Sequence, residues 1–130
     1  MAAEENAELV ARACRASDEG DREVIQELSA PDIEWRVPGK SWVATVDHGM
    51  REVMEGFKEI TELTGGTYKH EVIDCLGGED HAIALVHVTA ERDGQMLEMT
   101  EVVVFREKDG QLHDAHYVPF DFNEWDEFFS

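Results

Sequence analysis

The sequence has 130 residues, and its 30 acidic against 11 basic side chains give a formal charge of −19. That balance repels nucleic-acid phosphates and anionic membrane surfaces, which argues against both as partners. With 42 % hydrophobic residues the chain can still build a core, so one folded domain over residues 1–130 is expected rather than disorder.

In chain order, the first expected element is a helix over about Ala3 to Ala16, where Leu9, Val10, Ala13 and Cys14 recur at helical spacing. Gly20 breaks it. Asp21 can cap a second, short helix with Val24, Ile25 and Leu28 on one face, ended by Pro31. Ile33–Val37 alternates as a short strand. Lys40–Gly49 reads as a loop or a ragged edge strand, in which Asp47 or His48 can cap the helix that follows. That helix runs from Met50 to Thr64, with Met50, Val53, Met54, Phe57, Ile60 and Leu63 as one apolar stripe and Gly65-Gly66 closing it.

A strand is expected over Thr67–Leu76. Beyond it, Ala82–Asp121 carries two Asp-Gly pairs, Asp93-Gly94 and Asp109-Gly110. Asp-Gly accepts the positive φ angles of tight hairpin turns, so this stretch reads as a three-stranded antiparallel meander. The tail FNEWDEFFS, with Phe122, Trp125, Phe128 and Phe129, can pack as a short helix or a strap. Helices first and antiparallel strands after them indicate an α+β fold.

Cys14 and Cys75 lack metal-site spacing and read as two buried free thiols. The start MAAEENAE has no apolar core and so does not resemble a signal peptide. No apolar run approaches the roughly 20 residues of a membrane span, and a cytoplasmic protein is expected. The six histidines, His48, His70, His81, His87, His113 and His116, show no tight ligand motif. Neither a Gly-rich phosphate loop nor a Ser or Cys nucleophile signature occurs. No metal or cofactor is expected.

Three stretches carry a family resemblance. ASDEGD with ELSAPDIEWRVPG is similar to the approach to the first strand in the nuclear transport factor 2-like superfamily. HGMREVMEGFKEI resembles that superfamily's third helix, and VVVFREKDGQLHDAHYVPFD resembles its last two strands. The closer resemblance is to the SnoaL-like branch, which includes polyketide cyclases, and to ketosteroid isomerases. It implies a cone: three N-terminal helices on a curved antiparallel sheet of about four to six strands. It also implies a homodimer formed through the outer sheet face.

Laid on the strands, the family register combined with the two-residue period points Trp35, Val37, Val86, Val88, Ala90, Met99, Glu101, Val103, Phe105, Ala115 and Tyr117 into the hollow. His87, Thr89, Thr100, Val102, His116 and Val118 then face outward. Met54, Phe57 and Trp42 wall the cavity, which suits a hydrophobic small molecule. The relatives' catalytic positions fall on Val37, Ala13, Val103 and Tyr117. None carries the matching group, which argues against ketosteroid isomerase and polyketide cyclase chemistry.

Two readings follow. In the first, the chain binds an apolar metabolite without catalysis. In the alternative it is a cofactor-independent isomerase, cyclase or dehydratase, with Glu101 as general acid/base and Tyr117 as hydrogen-bond donor. Against both stands a plain structural role in which Glu101 faces solvent or pairs with Arg92 or Arg106.

Overall fold

A computed structural model describes residues 2–41 and 43–130. Its elements are α1 (Ala3–Glu19), α2 (Arg22–Leu28), β1 (Ser29–Val37), β2 (Thr45–His48), α3 (Met50–Leu63), β3 (Lys69–Gly77), β4 (His81–Arg92), β5 (Gln95–Lys108), β6 (Gln111–Pro119) and α4 (Phe122–Phe128). The strands form one six-stranded sheet in the order β2-β1-β6-β5-β4-β3. The α+β class and the curved sheet agree with the reading of the sequence. Every pairing is antiparallel except β1 with β6, which is parallel. Among the described residues, no helix is long and apolar enough to cross a membrane.

The meander follows from its turns. Asp93 and Asp109 adopt φ of 51° and 54°, and the glycines after them 78° and 77°. Two consecutive positive φ values make the tight hairpin whose twist matches the flanking strands. That fixes β4, β5 and β6 in register, with Val86 opposite Glu101 and Val103 opposite Tyr117.

Three details depart from expectation. The second helix stops at Leu28, before Pro31, and β1 starts at Ser29 with the proline inside it. Pairing to β6 is irregular between Ser29 and Glu34, so the N–H that proline lacks falls where the ladder is already interrupted. Neither Asp47 nor His48 caps α3. Gly49 occupies the cap position without a side-chain bond, and the Glu52 carboxylate accepts from the His48 N–H at 3.0 Å. Cys14 is a buried free thiol, but Cys75 is only half-buried.

The core lies between the sheet's inner face and the helices. Val10, Ile33, Val53, Val86, Val88, Leu97 and Leu112 are each fully buried there. Burying a side chain of that kind contributes on the order of 2 kcal/mol, an upper estimate because the unfolded chain already hides some of it. Asp21 caps α2 by accepting from the Val24 N–H, and Asp121 caps α4 by accepting from the Glu124 N–H.

Candidate functional site

Counting in twos from the Asp93-Gly94 turn puts Glu101 on the inner face of β5, and its side chain is 0 % exposed. Neither Glu101 oxygen has a hydrogen-bond partner among the described residues. The arginines that were candidates to neutralise it are engaged elsewhere. Arg92 Nη1 donates to the carbonyls of Phe128 and Ser130, at 3.0 and 2.7 Å, and Arg106 pairs with Asp114. A carboxylate without partners in an apolar interior is stable only when protonated. Burial accordingly pushes the Glu101 carboxyl from 4.5 up to about 8.

The nearest titratable neighbour comes from β3. His70 Nε2 lies 3.7 Å from Glu101 Oε1, too long for a hydrogen bond but close enough for a small shift to make one. Tyr68 Oη sits 3.0 Å from the same nitrogen. Burial lowers the His70 imidazole from 6.5 to about 4, and raises the Tyr68 and Tyr117 phenols well above 10.0. Burial keeps the phenols protonated. Near neutral pH the cluster therefore holds a carboxylic acid, a neutral imidazole and two phenols, with one transferable acidic proton and no net charge. We expect NMR of the imidazole to show His70 neutral until about pH 4. A midpoint near 6.5, the ordinary histidine value, would mean a wet, unperturbed side chain.

Tyr117 completes the cluster from β6, its ring centre 5.7 Å from that of His70 and 5.8 Å from that of Trp35. Trp35 in turn meets Phe57 edge-on at 5.2 Å. Two spaces open onto this group. A cleft of about 360 Å³ between β1, β2 and α3 is lined by Trp35, Val37, Phe57, Ile60 and Tyr117 and by the side chains at its rim. A smaller space of about 80 Å³ under α2 and α3 touches Phe57, Ile60, Tyr68, His70 and Tyr117. Phe57, Ile60 and Tyr117 border both. His70 and Tyr117 face open space, whereas Glu101 lines neither and lies behind His70.

Of the other residues picked from sequence, Val86, Val88, Met99 and Ala115 are buried core that lines neither space. Val103 borders a residual gap of about 10 Å³ beside His70 and Tyr117. Met54 is half-buried on α3 and lines neither space. Trp42 lies outside the described residues.

Sequence reasoning passed over His70 and Tyr68. They sit two apart in Tyr68-Lys69-His70, with the strand exposing Lys69 and Glu71 on either side of a buried His70. The signal was faint because Ile73 is an extra residue in the pairing with β4, between Val72 and Asp74. A bulge of this kind reverses the facing of everything after it, so no single alternation runs through the strand.

The SnoaL-like domain model matches residues 10–115. The structure of Bal32a, from a soil-derived mobile gene cassette, is 33 % identical, covers 98 % of both chains and superposes with a TM-score of 0.94. A Xanthomonas campestris protein of unknown function with a cystatin-like fold superposes at 0.88 with 20 % identity, covering 95 % of this chain and 96 % of its own. An uncharacterised Mycobacterium tuberculosis protein is 29 % identical over 106 residues, 81 % of each chain. With the match spanning most of the elements that build the cone, the chain belongs to the SnoaL-like domain family of the nuclear transport factor 2-like superfamily.

Proposed function

We propose that the protein is a cofactor-independent acid–base enzyme acting on a hydrophobic small molecule held in the cone. Isomerisation, cyclisation and dehydration are the reaction classes that fit. The observation that carries this reading is the fully buried Glu101 carboxyl, which has no hydrogen-bond partner among the described residues and lies 3.7 Å from a buried histidine. A protein that only binds an apolar ligand gains nothing from such a pair, because an unsatisfied buried carboxyl costs on the order of 1–3 kcal/mol. A proton-transfer site does gain, because burial brings the acid's pKa close to working pH.

The roles divide by position. Glu101 stores the proton. His70, between Glu101 and the open space, passes it: Nε2 takes a proton from the acid while Nδ1–H gives one to the ligand, and the reverse sequence makes the pair a base. Tyr117, which keeps its phenolic proton, donates to oxygen as negative charge develops there. Tyr68 holds the imidazole ring in place. The loss of the relatives' catalytic groups at Val37, Ala13 and Val103 favoured the purely binding reading. A pair assembled at other positions removes that objection.

The test is hydrogen–deuterium exchange at the carbon beside the carbonyl in a panel of hydrophobic ketones, followed by NMR in heavy water. We expect the protein to catalyse exchange on at least one of them and His70→Gln to slow it about 100-fold or more. Glu101→Gln should slow it as well and flatten the pH profile near about 8. Ketones that bind but never exchange would leave the binding reading in place of this one, and full exchange by a folded His70→Gln variant would overturn the proton path through His70.

A further inference from the structure

The acid–base pair and the room for a ligand lie on opposite sides of one side chain. His70 borders the space of about 80 Å³, which at about 10–15 Å³ per water holds only a handful of waters. The cleft of about 360 Å³ has the size of a small-molecule site, roughly 300–1,000 Å³, yet His70 does not line it. A hydrophobic ketone that fills the cleft therefore stops short of the imidazole.

Among the described residues, Phe57, Ile60 and Tyr117 alone border both spaces. Phe57 and Ile60 stand three apart on α3, so they share one face of that helix. Ile60 is 8 % exposed and Tyr117 3 %, and both belong to the buried core. Phe57 is only half-buried, which leaves it as the one of the three with room to turn. Its ring meets Trp35 edge-on at 5.2 Å. A pair of that kind is worth at most about a factor of ten in population, so a ring turned off it is an accessible state. Tyr117 stands on both sides of the divide: its ring centre is 5.8 Å from that of Trp35 in the cleft and 5.7 Å from that of His70 beyond it. With Phe57 turned aside, Tyr117 becomes the wall common to one joined space.

We propose that Phe57 is a movable partition, through which the protein selects extended hydrophobic ketones. The apolar body of such a molecule fills the larger cleft, and its carbonyl end passes the turned ring to meet His70 and Tyr117. A ketone small enough for the lesser space reaches the same pair with the ring in place. Residue 57 therefore sets which sizes are accepted. This rests on the acid–base reading and adds the shape of molecule on which the pair acts.

An NMR titration of the His70 imidazole signal tests it with two probes, butanone and acetonaphthone. Both are expected to move the signal in the parent. The ratio of their apparent affinities is the readout, because it cancels a general loosening of the site. Phe57→Ala removes the partition and is expected to shift the ratio about tenfold toward acetonaphthone, since no population is lost to the closed state. Phe57→Trp, a bulkier stopper, is expected to shift it about tenfold the other way. Leu63→Ala, on the same helix but bordering neither space, should leave it within about twofold. A ratio unmoved by both substitutions at residue 57, a ratio moved as far by Leu63→Ala, or a signal that neither ketone moves would overturn the proposal. A ratio that follows residue 57 without proton exchange on any ketone sinks the acid–base reading alone. Exchange by the parent with a ratio indifferent to residue 57 sinks this inference alone.

Discussion

Glutamine in place of Glu101 is expected to raise the thermal midpoint above about pH 8 and to leave it nearly unchanged below about pH 5. The sign follows from proton counting. Burial raises this carboxyl from 4.5 to about 8 on folding. Between those values the folded chain holds a proton that the unfolded chain has released, so stability falls as pH rises, and the loss is complete above the upper value. Glutamine is close to the protonated acid in shape and, like it, carries both a donor and an acceptor, but it cannot ionise. The variant therefore matches the parent at low pH and outlasts it at high pH. At about 1.4 kcal/mol per unit of pKa, the difference reaches on the order of 5 kcal/mol, or roughly 15–20 degrees in a domain of this size.

His70 shapes the parent's own profile in the opposite sense. Burial lowers it from 6.5 to about 4, so across that window the unfolded chain binds the extra proton and stability rises with pH. The two slopes offset one another where the windows overlap, and Glu101 acts without that opposition above the ordinary histidine value. Glu107, raised by burial from 4.5 to about 7, adds to the decline in both proteins and drops out of the comparison. Melting curves by circular dichroism across this pH range decide the matter. Equal destabilisation of Glu101→Gln at every pH would mean that the carboxylate is ionised and satisfied in the folded chain. An alkaline gain in stability together with slower proton exchange would identify the carboxyl as a group held at a cost to the fold for the sake of its proton.

Much of this geometry was legible in the sequence because rigid punctuation preceded it. The two Asp-Gly turns pin three strands in register, and counting in twos from them places Glu101 and Tyr117 on the inner face, both now seen to be buried. β3 offered no such anchor. Gly77-Gly78 marks a turn, yet the extra residue at Ile73 breaks the count before it reaches His70. β1 was legible as a strand but not as a neighbour of β6. A parallel pairing leaves no turn between its members to read, and it depends on β1 and β6 meeting across the whole chain. Asp47 looked like a helix cap because it stands just before α3. Only the backbone shows that Gly49 takes that position and frees the carboxylate for the cleft. Local chemistry was readable wherever a short-range rule fixed direction, and was lost wherever direction depended on a long-range contact.

Trp125→Ala is the second substitution expected to act strongly, removing on the order of 3–5 kcal/mol of stability. Trp125 is 0 % exposed although α4 is only seven residues long, too short to persist as an isolated helix. Its order therefore comes from packing. Trp125 and Phe129 lie 4.8 Å apart between ring centres, Phe128 meets Phe129 at 4.9 Å, and Arg92 ties the carbonyls of Phe128 and Ser130 to β4. Trp125 also leans edge-on against Tyr68 at 6.4 Å, and Tyr68 is the residue that touches His70. The family match ends at residue 115, so one wall behind the cluster of Glu101, His70 and Tyr68 is supplied by a helix beyond the matched segment. Urea unfolding of Trp125→Ala is expected to keep its slope and lose midpoint, the mark of a lost core contact rather than a changed unfolded state. Trp125→Phe, a smaller excavation, should fold and move the His70 NMR signal. A loss below about 1 kcal/mol for the alanine variant, or an unmoved His70 signal in the phenylalanine variant, would reduce α4 to an appendage and leave Tyr68 held by the sheet alone.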